Sequence, residues 1–139
     1  MYSWLVGRYV RHQIKRLLRG DVDGLLRQFA DDGELVFPGR NSFAGTFNGK
    51  REVEGWLRRF AGLHPEYQVS DVLVAGPPWN TRIAWRLSDR IGEHYANEGM
   101  VHMRMVWGKA RSMRVFLDTE TVSDWERAYP EESGQSMPG

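Results

Sequence analysis

The sequence predicts a single α+β domain in which helical segments come first and an antiparallel sheet follows, so that together they enclose an apolar pocket. Before Gly62, apolar residues recur at helical spacing in three segments. Beyond Gly62 they alternate with polar residues, as expected for strands with one buried face. A length of 139 residues, of which 41% are hydrophobic, is enough for one core and requires no second domain.

Three amphipathic helices are predicted in the first half of the chain. The apolar stripe of the first consists of Val6, Val10, Ile14, Leu17 and Leu18. Its basic residues lie largely on the opposite side, and such a helix more often packs on a core than lies on a membrane. Gly20 and Asp21 end it and cap a second helix, whose stripe is Val22, Leu25, Leu26 and Phe29. Asn48 caps the third, whose buried face is Val53, Trp56, Leu57 and Phe60.

The remaining segments are predicted to be strands. Two short strands cover 34–37 and 42–47, and four longer ones cover 66–75, 79–88, 95–107 and 111–120. The single domain spans 1–127. Residues 128–139 lose the apolar pattern, so we expect this tail to be disordered.

Composition excludes several classes of partner and chemistry. The 19 Lys and Arg nearly balance the 18 Asp and Glu, so no broad charge favours nucleic acid or an acidic membrane surface. The chain has no cysteine, which excludes disulfides and thiolate chemistry and is typical of a cytoplasmic protein. Its 4 histidines are scattered and form no metal motif. We therefore expect a small apolar partner and neither a metal nor another cofactor.

Three segments resemble signatures of the NTF2-like superfamily, and within it the SnoaL-like and ketosteroid-isomerase-like branch. They are GDVDGLLRQFADDGELVFPG, FAGTFNGKREVEGWL and MRMVWGKARSMRVFLDTETVSDW, and the similarity covers about 6–125. The resemblance implies a cone-shaped, cystatin-like fold with three helices on a bent sheet around a deep pocket. It also implies a homodimer formed through the outer sheet face. It implies no single reaction, because this superfamily contains isomerases, cyclases, epoxide hydrolases, dehydratases and noncatalytic binders.

Strand alternation predicts which side chains line the pocket, because neighbouring residues point to opposite faces. The apolar set on the long strands is Thr81, Ile83, Trp85, Leu87, Val101, Met103, Met105, Trp107, Met113, Val115 and Leu117. The predicted ligand contacts are Tyr9, Phe37, Trp56, Phe60, Trp85, Tyr95, Asn97, Val101, Met103 and Leu117. Met and Trp at such positions are equally typical of plain core packing.

Steroid-isomerase chemistry is not expected, because the positions that would carry it differ here. The resemblance places the aspartate base just before a proline after the second helix, where this chain has Phe37 before Pro38. The helix-1 tyrosine falls near Gln13 and the carboxylic acid donor near Val101. A phenylalanine cannot accept a proton, so ketosteroid isomerase activity is not predicted.

The cyclase-like branch of the resemblance offers a different acid–base pair, His102 and Asp118. A histidine oriented by a carboxylate is suited to enolisation and ring closure. Both residues, however, alternate with the apolar set. The competing interpretation places them on the outer sheet face, in a dimer interface or in salt bridges.

Two functional hypotheses follow. The first is a SnoaL-like enzyme that performs cofactor-free acid–base chemistry on a hydrophobic carbonyl-containing molecule. The second is a noncatalytic module on the same fold that binds an apolar ligand or only dimerises. The orientation of His102 and Asp118 relative to the cavity would separate these hypotheses.

Overall fold

A computed structural model describes residues 1–134, which form four helices and six strands. In chain order these are α1 (Tyr2–Leu18), α2 (Val22–Leu26), β1 (Phe29–Phe37), β2 (Gly45–Asn48), α3 (Gly49–Gly62), β3 (Glu66–Ala75), β4 (Thr81–Ile91), β5 (Tyr95–Val106), β6 (Lys109–Leu117) and α4 (Thr119–Ala128). The predicted order of helices, short strands and long strands is therefore present. Within the described range, no helix has both the length and the apolar character that crossing a membrane requires.

All six strands belong to one sheet, in the order β2-β1-β6-β5-β4-β3. Most neighbours run antiparallel, but β1 and β6 are parallel. The prediction of an antiparallel sheet is therefore wrong for this one pair. A parallel pair needs a long connection, and here α3 and the strands between β1 and β6 provide it. Since β2 and β3 end the sheet on opposite sides, the sheet is open.

Irregular pairing bends the sheet around its helices. The register shifts between Phe29 and Glu34 on β1, between Ser70 and Leu73 on β3, and between Arg104 and Met105 on β5. Such bulges increase local twist and bend a strand. On the inner face, α1 packs against β3 and α3 packs against β1. The core therefore lies between the helices and the curved sheet.

Side chains along β4 alternate between a buried and a more exposed face, and this alternation determines which residues reach the cavities. Its buried residues are Thr81, Ile83, Trp85, Leu87, Asp89 and Ile91, and the residues between them are less buried. The predicted inward set on this strand is correct. The strand continues past the predicted end at residue 88, so the inward set gains a carboxylate, Asp89.

The second helix is shorter than predicted. It ends at Leu26, and Phe29 is the first residue of β1 instead of the last residue of a helical stripe. Pairing with the last long strand explains the change: Phe29 is opposite Ala110, whose amide N donates to the Gln28 carbonyl at 2.8 Å. Tertiary pairing here outweighs the local helical spacing.

A fourth helix replaces the end of the last predicted strand. Strand β6 stops at Leu117, and Asp118 caps α4 by accepting hydrogen bonds from the amides of Glu120 and Thr121. An Asp at this position satisfies backbone donors that the helix itself leaves unpaired.

The predicted disorder of residues 128–139 is wrong for the part that the structure describes. Residues 129–134 form ordered turns against the domain, and Ser133 is fully buried. Arg59 donates to the Ser133 carbonyl at 3.1 Å, and His94 contacts the Glu132 carboxylate at 2.8 Å. Residues 135–139 lie outside the described range, so the prediction stays untested there.

Candidate functional site

Two small cavities lie between the helices and the inner sheet face. The aromatic cavity has a volume of about 30 Å³ and is lined by Phe37, Phe43, Trp56, Phe60, Leu63, Asp89, Ile91, Tyr95, Leu117, Val122 and Trp125. The α1 cavity has a volume of about 60 Å³ and is lined by Tyr9, Val10, Gln13, Ile14, Leu17, Leu25, Gln28, Phe29, Leu57, Trp85, Met103, Met105, Ala110 and Met113. They share no lining residue.

Asp89 occupies the middle of a polar row across three strands. Strand pairing places Tyr67 of β3 directly opposite Asp89 on one side, and Asn97 of β5 directly opposite on the other. Directly opposite side chains share a sheet face with their Cβ atoms roughly 5 Å apart. We call Tyr67, Asp89 and Asn97 the Asp89 row.

The Asp89 carboxyl is buried without a partner for one of its oxygens. Its residue exposure is 5%, and Oδ1 accepts no hydrogen bond from the described residues. Desolvation by burial raises the pKa of Asp89 to about 7, although its own backbone amide opposes the shift. Burial has this direction because it disfavours the charged form. Near neutral pH both the acid and the base form are therefore populated.

Two phenols flank this carboxyl. The Tyr67 hydroxyl accepts a hydrogen bond from Trp85 Nε1 at 3.0 Å, and the Tyr95 hydroxyl accepts one from Asn97 Nδ2 at 3.1 Å. Burial raises the pKa of both phenols, and the nearby negative charge of Asp89 raises it further. Each phenol therefore keeps its proton and can donate it in a hydrogen bond.

Asn97 is fixed in place by the backbone around it. Its Nδ2 also donates to the Asp118 carbonyl at 2.9 Å, and its Oδ1 accepts from the Glu98 amide at 2.8 Å. These two hydrogen bonds orient the Asn97 side-chain amide, which also donates to the Tyr95 hydroxyl. The polar groups beside Asp89 are therefore preorganised.

A second buried polar atom without a partner belongs to Gln13, one of the residues that line the α1 cavity. Gln13 is 9% exposed, and its Oε1 accepts no hydrogen bond from the described residues. Nearby, the Tyr9 hydroxyl donates to Gln28 Oε1 at 2.7 Å, and burial raises the pKa of Tyr9 to about 12. An unsatisfied buried acceptor costs about 1–3 kcal/mol, so Gln13 requires an explanation.

The structure does not bring the predicted catalytic pair together at a cavity. His102 is exposed on the outer sheet face, where it is opposite Ala84 and Arg114. Asp118 is exposed and caps α4. The ladder partner of His102 lies four residues before Asp118, a distance of roughly 13 Å along a strand. For His102 this agrees with the competing interpretation of an outward orientation, whereas Asp118 lies beyond the end of β6 and caps α4 instead of facing outward from the sheet.

The predicted ligand contacts divide between the two cavities. Tyr9, Trp85 and Met103 line the α1 cavity, whereas Phe37, Trp56, Phe60, Tyr95 and Leu117 line the aromatic cavity. Asn97 belongs to the Asp89 row. Val101 is buried and lines neither cavity.

Sequence reasoning missed Asp89, Tyr67 and the role of Gln13. Asp89 continues the alternation of β4 by one step beyond its predicted end, so that pattern contained the signal. Placing Tyr67 beside Asp89 required the register between β3 and β4, which the sequence pattern does not provide. Among residues 1–134, no group of three or more His, Cys, Asp or Glu is arranged to hold a metal ion.

Helices packed on one face of a curved, open sheet, with a small aromatic cavity and a buried carboxyl between the layers, define a class of small α+β domains. The sequence profile of the SnoaL-like domain matches residues 10–113, so the chain belongs to the SnoaL-like family. This confirms the predicted resemblance. A search of curated proteins found no match.

Solved structures show the same fold. An NTF2-like protein from Burkholderia xenovorans is 21% identical with a TM-score of 0.64, over 84% of this chain and 92% of that one. A steroid delta-isomerase from Pseudomonas aeruginosa is 18% identical with a TM-score of 0.68, over 93% and 88%. SalBIII, described as an epoxide hydrolase/cyclase-like enzyme in pyran ring formation of salinomycin, is 15% identical with a TM-score of 0.63, over 83% and 92%. At these identities the likeness confirms the NTF2-like α+β fold alone.

The raised pKa of Asp89 predicts how stability depends on pH. The folded protein binds this proton more tightly than the unfolded chain, whose Asp has a pKa of 3.8. Stability is therefore lost as pH rises from about 4 to about 7, and the full loss is about 4 kcal/mol. Asp89→Asn removes the ionisable group, so its free energy of unfolding should exceed the wild-type value at about pH 8 and approach it at about pH 4.

Urea unfolding of both proteins across this range measures the difference directly. Asp71→Asn is the matched control, because Asp71 is exposed on β3. The free energy of unfolding of Asp71→Asn should differ little from the wild-type value at every pH. A difference for Asp89→Asn that stays constant with pH would show that the carboxyl titrates normally.

Proposed function

We propose that the protein is a SnoaL-like small-molecule enzyme that performs cofactor-free acid–base chemistry on a hydrophobic carbonyl-containing ligand. The reaction would be of the cyclase, isomerase or hydratase type, and Asp89 would transfer the proton. The supporting observation is the Asp89 carboxyl, which lines an aromatic cavity, has an unbonded Oδ1 and has a pKa raised by burial to about 7. A pKa near the working pH is what a general acid or base requires.

The proposed reaction gives complementary roles to Asp89 and its neighbours. As a carboxylate, Asp89 takes a proton from the carbon beside the carbonyl, and the electron pair of that C–H bond moves onto the carbonyl oxygen. Tyr95, which lines the same cavity as Asp89 and keeps its proton, is the donor for the oxygen that becomes negative. Protonated Asp89 then returns the proton to the product, so no external oxidant or reductant is consumed.

Phe37 distinguishes this arrangement from a steroid isomerase. Phe37 occupies the position at which the resemblance to steroid isomerases implies the aspartate base, and it lines the same aromatic cavity as Asp89. Its ring lies 5.5 Å from that of Trp56, as part of the apolar wall. In this chain the acid–base group would therefore be Asp89 of β4. Phe37, on the apolar wall of the same cavity, cannot accept a proton.

A noncatalytic binding module is the second candidate. The α1 cavity is the larger of the two, and its lining contains no carboxylate or imidazole. An apolar ligand could therefore bind there without undergoing acid–base chemistry.

Hydrogen exchange into ketones tests the enzyme hypothesis without knowledge of the natural substrate. A panel of apolar cyclic ketones is incubated in deuterated water, and deuterium beside the carbonyl is followed by mass spectrometry. The wild-type protein should accelerate exchange for at least one ketone. Asp89→Asn should lower that rate by about 10²–10⁴-fold, the range typical of a lost general base.

Two variants serve as controls for this assay. His102→Ala and Asp118→Asn alter the originally predicted pair, and Asn is also a good cap for α4. Both should retain the wild-type exchange rate. Equal rates for wild type and Asp89→Asn would contradict the proposed role. Ligand binding with no exchange for any ketone would favour the binding module.

We also propose that the protein forms a homodimer through its outer sheet face. Leu73, Met100 and Phe116 are exposed there, and Met100 lies opposite Phe116 in the β5–β6 ladder. Arg86 lies 3.8 Å from Glu98 beside them. In a two-fold pair these apolar residues would be covered by their counterparts, with charged residues at the rim.

Sedimentation at tens of micromolar, roughly the range in which weak dimers persist, should show a dimer. Phe116→Glu should convert it to a monomer, because it would place two charges in a desolvated contact. Trp107→Glu is the control, since Trp107 is similarly exposed but lies at the turn after β5. A monomeric wild-type protein, or dissociation by both variants, would contradict this interface.

A further inference from the structure

The exposed tryptophans of the chain lie together at one end of the domain. Three of its 6 tryptophans are buried in the core, namely Trp56, Trp85 and Trp125. The other three are between 57% and 68% exposed, namely Trp4, Trp79 and Trp107. Exposed apolar side chains that occur singly are ordinary, whereas a group of them on one surface marks an interaction site.

The turns that carry Trp79 and Trp107 are fastened to each other. The Trp107 amide donates to the Pro78 carbonyl at 2.9 Å, and the Trp79 and Trp107 rings lie 5.8 Å apart. Arg104 Nε donates to Asn80 Oδ1 at 2.9 Å between the same two segments. The β3–β4 turn and the β5–β6 turn therefore form one surface.

The first turn of α1 extends this surface. The Tyr2 and Thr81 hydroxyls lie 2.6 Å apart, so the start of α1 lies beside the start of β4. Trp4 and Leu5 belong to the same helical turn, and both side chains are more than half exposed. We call this surface the aromatic end, and its apolar residues are Tyr2, Trp4, Leu5, Trp79 and Trp107.

Trp107 is held in an unfavourable backbone conformation. Its φ is +49°, in the left-handed region that a bulky residue rarely adopts. Gly108 follows with a φ of +78°, and these two residues join β5 to β6. Asn-Gly is the unstrained choice for a two-residue hairpin turn with both φ angles positive. Turn geometry therefore does not account for the tryptophan, whereas contact of its exposed ring with a partner does.

Charge at the aromatic end is one-sided. Over the whole chain the 19 Lys and Arg nearly balance the 18 Asp and Glu, so no broad charge favours an acidic surface. The segments that form the aromatic end are 1–11, 77–82 and 104–109, and they contain no Asp or Glu. Their basic residues are all exposed, namely Arg8, Arg11, Arg82, Arg104 and Lys109. Arg8 Cζ lies 5.0 Å from the centroid of the Trp4 ring, so basic and aromatic side chains are interleaved.

Exposed tryptophans among basic side chains suit the surface of an acidic bilayer. Tryptophan and tyrosine rings are amphipathic and sit at the level of the lipid headgroups. Each Lys or Arg near that surface is attracted to anionic lipid. Single-stranded nucleic acid also uses aromatic and basic residues, but it follows a groove in which bases stack on the rings. Here the rings project from two turns and a helix start, together with aliphatic Leu5, and this arrangement favours insertion into lipid.

We propose that the aromatic end docks on the surface of a bilayer that contains anionic phospholipid. The three tryptophans enter the headgroup layer, and the surrounding Arg and Lys side chains contact anionic headgroups. Helix α1 does not lie flat on the membrane, because its apolar stripe packs in the core. The proposal is independent of the acid–base chemistry, since Asp89 is eight residues along β4 from Thr81, a distance of roughly 26 Å.

Vesicle flotation tests this docking. The protein is mixed with vesicles of phosphatidylcholine alone, or of phosphatidylcholine and phosphatidylserine in equal amounts, and the bound fraction is measured. The mixed vesicles should bind about fivefold more tightly or better, the effect of one basic residue near an anionic surface. Tryptophan emission should shift to shorter wavelength on binding, because the exposed rings leave water.

The variant Trp107→Asn separates docking from folding. Asparagine suits the turn, so the free energy of unfolding should equal or exceed the wild-type value. Affinity for the mixed vesicles should fall about tenfold, as expected when about 60 Å² of apolar surface is lost from the contact. Tyr129→Asn is the control, because Tyr129 is an exposed aromatic residue that stacks on His94 at the other end of β4. Its affinity for vesicles should match that of the wild-type protein.

A second pair of variants tests the charge. Arg82→Gln should lower affinity for the mixed vesicles about fivefold and leave affinity for phosphatidylcholine vesicles unchanged. Arg90→Gln makes the same change on the same strand at the end away from the tryptophans, where the side chain is also exposed. It should leave both affinities unchanged.

Four results would overturn the proposal. The first is the absence of binding to either vesicle at millimolar lipid. The second is an equal affinity of the wild-type protein for the two vesicles. The third is an equal loss of binding in Trp107→Asn and Tyr129→Asn. The fourth is binding of a single-stranded oligonucleotide, or self-association, that requires Trp107 in a protein that does not bind vesicles, because the aromatic end would then belong to that other partner.

Discussion

Desolvation of the Asp89 carboxyl is the physical constraint on which the site depends, because it raises the pKa of an ionisable group at the edge of an aromatic cavity. Ionising this group in the folded state is unfavourable, and the described residues provide no hydrogen bond to its Oδ1. Retaining such a group lowers stability at neutral pH. Functional sites commonly combine unfavourable burial with a pKa close to the working pH. Asp89 fits that pattern, whereas His102 and Asp118 lie at the surface.

The fold makes this burial possible through strand register and helix cover. Pairing across β3, β4 and β5 brings Tyr67 and Asn97 beside Asp89, so each of three strands contributes one residue to the row. On the other side, α3 contributes Trp56, and α4 contributes Val122 and Trp125 to the aromatic wall. The turns after α4 hold that helix in place, because Glu132 accepts a hydrogen bond from Trp125 Nε1 at 3.2 Å. The C-terminal segment therefore helps to enclose the site.

Periodicity predicted most of the fold but only part of the site. The stripes of α1 and α3 and the alternation of β4 were correct because burial on one face directly determines these patterns. Asp89 was missed because the strand was predicted to end at residue 88, three residues before its actual end, and such boundaries depend on cross-strand pairing that a sequence does not display. Helix α4 was missed because the last strand was predicted to continue to residue 120, past Asp118, which caps the helix. The choice of His102 and Asp118 followed the resemblance, whereas strand alternation favoured an outward orientation, which the structure shows for His102.

The titration of Asp89 itself tests the central claim most directly. The carbon-13 shift of its carboxyl carbon, followed by nuclear magnetic resonance as pH is varied and assigned with Asp89→Asn, gives the midpoint without any substrate. The desolvated site predicts a midpoint near 7, well above the ordinary value of 3.8. A midpoint near that ordinary value would show that solvent or a hydrogen-bond donor reaches the carboxylate. Asp89 would then be no better suited to proton transfer at neutral pH than a surface aspartate.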